Sequence, residues 1–200
     1  MDISYKIWIY WLFCLFAMAL IAFSRKAIPQ LLSPRSKPPF PGSGYRLLLG
    51  AGWASTLLTE AAYILTTHKL ETGAYTVPDL LIYSILNGVL EQFMFVVWFL
   101  AGCWIARRVT RKPVWIFAGG FLGFALFSGA IHAFFWVRVL PPHIPMALVM
   151  PAVLVTMSFL WMWLFWRYRA LAAIVMMHVV VDFLMIGHLN SHWFDSLALR

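Results

Sequence analysis

Charge is what this sequence has little of. Lys, Arg, Asp and Glu together make up 11% of its 200 residues, and 63% of the residues are hydrophobic. Soluble domains are about one quarter charged. The composition therefore excludes a soluble globular domain and predicts an integral membrane protein. Strands that alternate polar and apolar residues are also absent, which argues against a membrane β-barrel.

Cysteine is scarce as well. Cys14 and Cys103 are the two cysteines, and each lies within an apolar stretch. We expect small buried fillers rather than a disulfide. Lys6 precedes the first apolar stretch, but no clear small-x-small cleavage site follows it. We expect this stretch to be a retained helix rather than a removed signal peptide.

Long apolar stretches are what the sequence has in place of charge. About 20 apolar residues are needed to cross the hydrocarbon core. Six stretches approach or exceed that length, at 7–23, 47–67, 79–106, 114–137, 146–166 and 170–188. The predicted fold is all-α: a polytopic transmembrane helix bundle of about six spans.

Three regions follow from this pattern. Residues 1–28 are predicted to form a peripheral first transmembrane helix, and residues 29–46 a basic, proline-rich cytoplasmic linker. Residues 47–200 are predicted to form the transmembrane bundle. The polar residues that could carry chemistry are expected in spans three, four and six alone.

The basic residues predict an orientation. The loops after spans one, three and five hold eleven of the fifteen Lys and Arg residues. The positive-inside rule places these loops in the cytoplasm and both termini outside. We expect a bacterial cytoplasmic membrane. Because topology accounts for the net charge of +8, no nucleic-acid partner is expected. Two groups of aromatic residues are predicted as interfacial anchors: Trp8, Tyr10 and Trp11 outside, and Trp161, Trp163, Trp166 and Tyr168 inside.

We single out four titratable residues from the apolar stretches of spans three, four and six: Glu91, His132, His178 and Asp182. A charged side chain at the bilayer centre costs about 2.5 to 3.5 kcal/mol on insertion scales. All four are acid/base or metal-ligand types, so we expect them to act together.

Each residue has a functional and a structural interpretation. Glu91 suits a general acid or base, but could also be a protonated acid hydrogen-bonded between helices. His132 could equally be an ordinary helix-end histidine near the interface. His178 and Asp182 are four residues apart on one helix face. The carboxylate could fix the tautomer of the imidazole, or the pair could simply pin two helices together.

Together the four residues favour hydrolysis. Two histidines and a glutamate could ligate zinc and leave an open position. Equally, the glutamate could activate water while the histidines stabilise an oxyanion, which needs no cofactor. No HExxH motif occurs, so spacing does not choose between these. Axial ligation of haem by His132 and His178 is a further alternative.

These residues resemble the motifs of the CPBP family, the CAAX prenyl protease type II and bacteriocin-processing intramembrane proteases. The family pattern is a Glu-Glu-x-x-x-Arg helix, then a Phe-x-x-x-His helix, then a His-x-x-x-Asn/Asp helix. This chain has Glu91-Gln92, a Phe-rich stretch that ends in His132, and His178 with Asp182. The similarity covers about residues 78–188.

The resemblance implies an intramembrane glutamate-type endopeptidase. Glu91 would activate water, His132 would be its partner, and His178 with Asp182 would stabilise the oxyanion. The expected partners are the lipid bilayer and a peptide or membrane-protein substrate. Gln92 and Val96 replace the second Glu and the Arg of the pattern, and Ser128 stands four residues before His132, where the pattern has Phe. The alternative is therefore a catalytically inactive CPBP-like scaffold or immunity protein that binds a partner membrane protein.

Overall fold

The structure is a computed structural model, and it describes residues 5–23, 43–66, 76–138 and 146–191. This part of the chain consists of six helices and a few non-helical residues, at 76, 110–112 and 169–170, and contains no strand. The all-α prediction is confirmed. The helices are α1 (Tyr5–Phe23), α2 (Ser43–Thr66), α3 (Val77–Val109), α4 (Pro113–Arg138), α5 (Met146–Tyr168) and α6 (Leu171–Ser191).

Five helices, α2 to α6, are long and apolar enough to cross a membrane. The apolar part of α1 runs over Ile7–Leu20. The protein is an integral membrane protein with a polytopic helical bundle. α3 has 33 residues and so is roughly 50 Å long at 1.5 Å per residue. That length exceeds the hydrocarbon core of about 30 Å, so α3 tilts or extends past the bilayer.

Local signals fix the ends of α3. Thr76 is the N-cap, and its hydroxyl oxygen accepts a hydrogen bond from the backbone N–H of Asp79. Pro78 lies in the first turn, where its missing N–H costs no helical hydrogen bond. Arg107 and Arg108 lie in the last turn, where cations interact favourably with the helix dipole.

α3 is the centre of the bundle. It packs most extensively against α4, and also against α6 and α1. α2 packs against α5 and α6, and α5 packs against α4. Residues on α3 therefore face side chains from three other helices. The two cysteines are buried and free, which confirms the prediction of apolar fillers.

Glycines bring α3 very close to its two main neighbours. A Cβ atom at Gly102 would overlap the carbonyl oxygen of Gly119 on α4. A Cβ atom at Gly88 would lie 2.8 Å from the backbone nitrogen of Val179 on α6. Small residues allow such backbone contact between membrane helices. Gly88 precedes Glu91 by three residues and Val179 follows His178, so this contact also positions two of the candidate residues.

Candidate functional site

The centre of the site is a buried pair of residues on α3. Asn87 and Glu91 are four residues apart and both are buried. Asn87 Nδ2 donates to Glu91 Oε2 at 2.9 Å and to Asp182 Oδ2 on α6 at 3.1 Å. One side-chain amide thus bridges two carboxyl groups from different helices.

His178 lies beside both carboxyl groups. Its Nε2 atom is 3.4 Å from Glu91 Oε2 and 3.9 Å from Asp182 Oδ2. Its Nδ1 atom is 3.2 Å from Gln92 Oε1. An amide oxygen only accepts, so Nδ1 carries the hydrogen of this bond. Gln92 therefore orients the imidazole and directs Nε2 toward the acids.

Aromatic rings hold the imidazole of His178 in place. The Phe95 ring stacks on it, with ring centroids 5.5 Å apart and an interplanar angle of 6°. Trp161 contacts it with a centroid distance of 5.7 Å. The centroid of Phe95 is also 6.3 Å from that of His132. Phe95 thus packs against both candidate histidines.

His132 has a defined tautomer when neutral. Its Nδ1 atom is 2.7 Å from the carbonyl oxygen of Ser128, one turn earlier on α4. Since a carbonyl oxygen cannot donate, Nδ1 carries the hydrogen. The Nε2 atom of the neutral ring then has the free lone pair. His132 can accept a hydrogen bond or a proton through Nε2.

Three of the four predicted residues face one cavity of about 110 Å³: Glu91, His132 and Asp182. The volume is sufficient for more than one water molecule. Asn87 and Tyr10 add polar groups to its wall. The rest of the lining is mostly apolar or aromatic: Ile7, Tyr83, Ile131, Phe134, Phe135, Trp136, Met185 and Ile186. His178 is not among the described residues that line it, and contacts the acids from outside the cavity.

α1 contributes two polar contacts that the sequence analysis missed. The Tyr10 hydroxyl donates to Glu91 Oε1 at 2.7 Å, and Trp11 Nε1 donates to Asn87 Oδ1 at 2.7 Å. The expectation that spans three, four and six alone carry the chemistry did not include these contacts from α1. Tyr10 and Trp11 are not lipid-interface anchors, whereas Trp8 is 54% exposed. The spacing of Trp11, Cys14 and Ala17, all buried, is the helical signal of an inward face.

Trp161 also differs from its prediction. It is 2% exposed, and its Nε1 atom donates to Thr56 Oγ1 on α2 at 3.1 Å. It is thus a core residue that supports His178, not part of an interfacial anchor.

A third buried acid, in addition to Glu91 and Asp182, lies outside the predicted set. Glu60 on α2 is 2% exposed. Neither of its carboxyl oxygens hydrogen-bonds to any residue that the structure describes. Because Glu60 lies inside the predicted span 47–67, the sequence alone could have identified it as a buried acid. Glu60 does not line the cavity, which makes it a useful control for Glu91.

The described residues give no support to a zinc site. No three His, Cys, Asp or Glu side chains among them are arranged to hold a metal ion. Comparison of the chain with protein-family models, with curated proteins and with solved structures gives no match. The resemblance to the CPBP family therefore rests on the motif residues alone.

Proposed function

We propose that the protein is an intramembrane endopeptidase that hydrolyses a peptide bond at or near the membrane. In this proposal Glu91 activates water, and His132 and His178 assist. The observation that carries it is the shared cavity, because Glu91, His132 and Asp182 come from three helices and line the same small space.

The protonation pattern of His132 supports a hydrolytic role. Its Nδ1–H is directed to the Ser128 carbonyl group, so the Nε2 lone pair can accept a hydrogen bond from water. Glu91 offers carboxyl oxygens at the same cavity. A water molecule held by both groups would have an acceptor for its proton and a fixed orientation, which are the requirements of general base catalysis.

In the proposed reaction Glu91 first accepts a proton and later donates it. Ionised Glu91 takes a proton from water while the water oxygen bonds to the carbonyl carbon of the substrate. The resulting tetrahedral intermediate carries its negative charge on the former carbonyl oxygen. Glu91 then gives the proton to the amide nitrogen as the carbon–nitrogen bond breaks, which releases a carboxylic acid and an amine.

His178 and Asp182 assist from the side of Glu91. The Nε2 atom of His178 lies 3.4 Å from Glu91 Oε2, and a protonated imidazole there would hold the carboxylate in position. Asp182 shares Asn87 with Glu91. The resemblance assigns oxyanion stabilisation to this pair. For that role, His178 would have to reach the intermediate past the residues that line the cavity.

Paired glutamate substitutions test the proposal. The purified protein, reconstituted in lipid, would be incubated with a library of peptides that each contain one apolar membrane segment, and products would be identified by mass spectrometry. Glu91→Gln should reduce the cleavage rate at least about 100-fold, the usual contribution of a general base. Glu60→Gln removes another buried carboxyl group, one outside the cavity, and should retain cleavage.

Comparison of the two variants shows which results would contradict the proposal. Equal cleavage by wild type and Glu91→Gln would show that Glu91 is not the base. Equal loss in both variants would indicate a general effect of removing buried acids. Absence of cleavage by the wild-type protein across the library would favour the second candidate function.

That second candidate is a catalytically inactive scaffold or immunity protein with a CPBP-like bundle. Two observations favour it. Gln92 serves as a hydrogen-bond acceptor for His178 where the family pattern has an acid, and His178 does not line the cavity. A scaffold needs no imidazole chemistry, so His178→Ala should retain partner binding. Loss of binding in a stably folded His178→Ala protein would count against it.

The proposed setting is a bacterial cytoplasmic membrane with both termini outside. The concentration of basic residues in alternate loops supports this orientation. The natural partners are then the lipid bilayer and a peptide or membrane-protein substrate.

A further inference from the structure

α1 has an unusual place in the bundle. It packs mainly against α3, whereas the other helices each pack against at least two neighbours among the described elements. Ile7 and Tyr10 of α1 nevertheless form part of the cavity wall. One side of the candidate site is thus closed by the helix with the fewest packing partners.

The contact between α1 and the site is polar and local. Tyr10 and Trp11 each donate one hydrogen bond, to Glu91 and Asn87 respectively. An interhelical hydrogen bond in a membrane contributes on average only a fraction of a kilocalorie per mole. The contact also includes a small cluster of buried residues, Trp11, Cys14, Tyr83 and Leu90, with a few partly buried apolar residues packed against it. The outer face of α1 carries large apolar side chains such as Leu12, Phe13 and Phe16, which are 60–64% exposed.

The connection between α1 and α2 is long enough for α1 to move away from α3 while the rest of the bundle stays in place. Residues 24–42 join α1 to α2. A stretch of this length can span at most roughly 60 Å when fully extended. The outer face of α1 is already apolar, as contact with lipid requires. Displacement of α1 sideways into the bilayer would break the hydrogen bonds of Tyr10 and Trp11, and Glu91 Oε1 and Asn87 Oδ1 on α3 would then need donors from another helix.

We propose that α1 occupies the substrate groove as a displaceable internal ligand, and that the substrate is an apolar membrane helix that replaces it. The incoming helix would pack on α3 as α1 does. It would present a hydroxyl, indole or similar N–H or O–H donor to Glu91 and Asn87. The identification of this groove with a substrate site rests on the proposed function; its ability to bind such a helix does not.

This assignment explains why Glu91 is bonded to Tyr10 in the resting protein. The bond occupies Oε1 of the proposed base, so α1 holds the site closed until another helix displaces it. Substrate selection would then depend on two properties: an apolar helical surface that fits against α3, and a donor at the position of Tyr10 or Trp11.

A peptide-binding experiment tests the groove without requiring catalysis. The probe is a fluorescent peptide with the sequence of residues 5–23, added to the full-length protein in lipid nanodiscs and followed by anisotropy. Ala17 is 3% exposed, so Ala17→Trp should push α1 off its groove. Phe16 is 62% exposed, and Phe16→Trp adds a similar ring on the lipid side. Both proteins are first checked for a single size-exclusion peak and a cooperative thermal transition.

We expect the Ala17→Trp protein to bind the peptide at least about tenfold more tightly than wild type or Phe16→Trp, because its groove is vacated. A peptide with Tyr10→Phe and Trp11→Phe should bind roughly tenfold more weakly, because both donors are missing. If Ala17→Trp does not fold, the double substitution Tyr10→Phe, Trp11→Phe in the protein replaces it as the loosened variant.

The outcomes separate the two proposals. Equal binding of the two peptides, or no binding to a folded loosened variant, overturns the assignment of α1. Donor-dependent binding without any cleavage supports the groove and contradicts the peptidase. Cleavage of library peptides that depends on Glu91, but with no binding of the α1 peptide, supports the peptidase and overturns the internal-ligand role of α1.

Discussion

The Tyr10 hydroxyl donates to Glu91 Oε1 at 2.7 Å and joins the first helix of the chain to the carboxyl group at the centre of the bundle. The two residues are 81 positions apart in the sequence. The other oxygen of Glu91 faces Asn87 and His178. Glu91 thus has partners on three helices, and its environment depends on whether α1 is docked.

Asn87 should be the most important polar residue for stability. It accepts from Trp11 and donates to Glu91 and Asp182. Asn87→Leu would leave these buried groups short of a partner, which costs about 1–3 kcal/mol for an unsatisfied group. The measurement is the free energy of unfolding in mixed detergent micelles. Ser84→Ala is the matched control, because the hydrogen bond of Ser84 among the described residues is to the backbone oxygen of Leu80, one turn away. A smaller loss for Asn87→Leu than for Ser84→Ala would contradict the bridging role.

His132 should be the Nδ1–H tautomer when neutral. The backbone oxygen of Ser128 is the nearer acceptor, at 2.7 Å from Nδ1, and the Ser128 hydroxyl oxygen lies farther away at 3.4 Å. The nitrogen chemical shifts of ¹⁵N-labelled histidine in a solid-state NMR spectrum distinguish the two tautomers, with His132→Phe used for assignment. Ser128→Ala should leave the result unchanged, because the carbonyl group remains. A neutral ring protonated at Nε2 would rule out the proposed acceptance of a hydrogen bond from water.

Gly102 should tolerate no side chain. Because a Cβ atom there overlaps the Gly119 carbonyl oxygen, Gly102→Ala must separate α3 from α4. Overpacking of this kind typically costs about 1–3 kcal/mol. Gly129 on α4 has no atom within 4 Å of its would-be Cβ. Gly129→Ala should therefore be neutral, or stabilising by up to about 1 kcal/mol through helix propensity. Thermal unfolding of both variants gives the comparison, and equal loss in both would refute close backbone packing at Gly102.

Gln92 should act by orienting His178. Gln92→Leu removes the acceptor for Nδ1 and should lower cleavage by on the order of tenfold, the smaller end of effects seen when a supporting hydrogen bond to a functional histidine is lost. Gln92→Glu keeps an oxygen at this position and should retain or increase cleavage. The change is expected in kcat rather than KM, because Gln92 does not line the cavity. Similar losses in the two variants would show that the acceptor does not matter.

The orientation of the chain can be tested with alkaline phosphatase, which is active only outside the cytoplasm. In a bacterial host, a fusion at the C-terminus should be active. A fusion after Arg111, in the basic connection between α3 and α4, should be inactive. The reverse pattern would overturn the predicted topology. A green fluorescent protein fusion at each site is the control, because it should fluoresce only at the cytoplasmic site.

Hydropathy predicted the bundle well, because bilayer thickness sets the length of each apolar stretch. The predicted span 114–137 corresponds to Pro113–Arg138, and 170–188 to Leu171–Ser191. The meeting of Glu91 with His178 was also predictable, since buried polar groups in lipid need one another. The roles of Tyr10 and Trp11 were not, because an aromatic ring near a helix end suits either the interface or a buried donor. Only the packing of α1 on α3 decides between these.

The backbone contact at Gly88 has a consequence for how this site could diversify. Glu91 and His178 are positioned by two main chains in direct apposition, which leaves little freedom for ligand-induced adjustment. The acid and the imidazole are thus preorganised before anything binds. Any change in which ligands bind would therefore have to arise in the wall that α1 provides, while the arrangement of Glu91 and His178 stays the same.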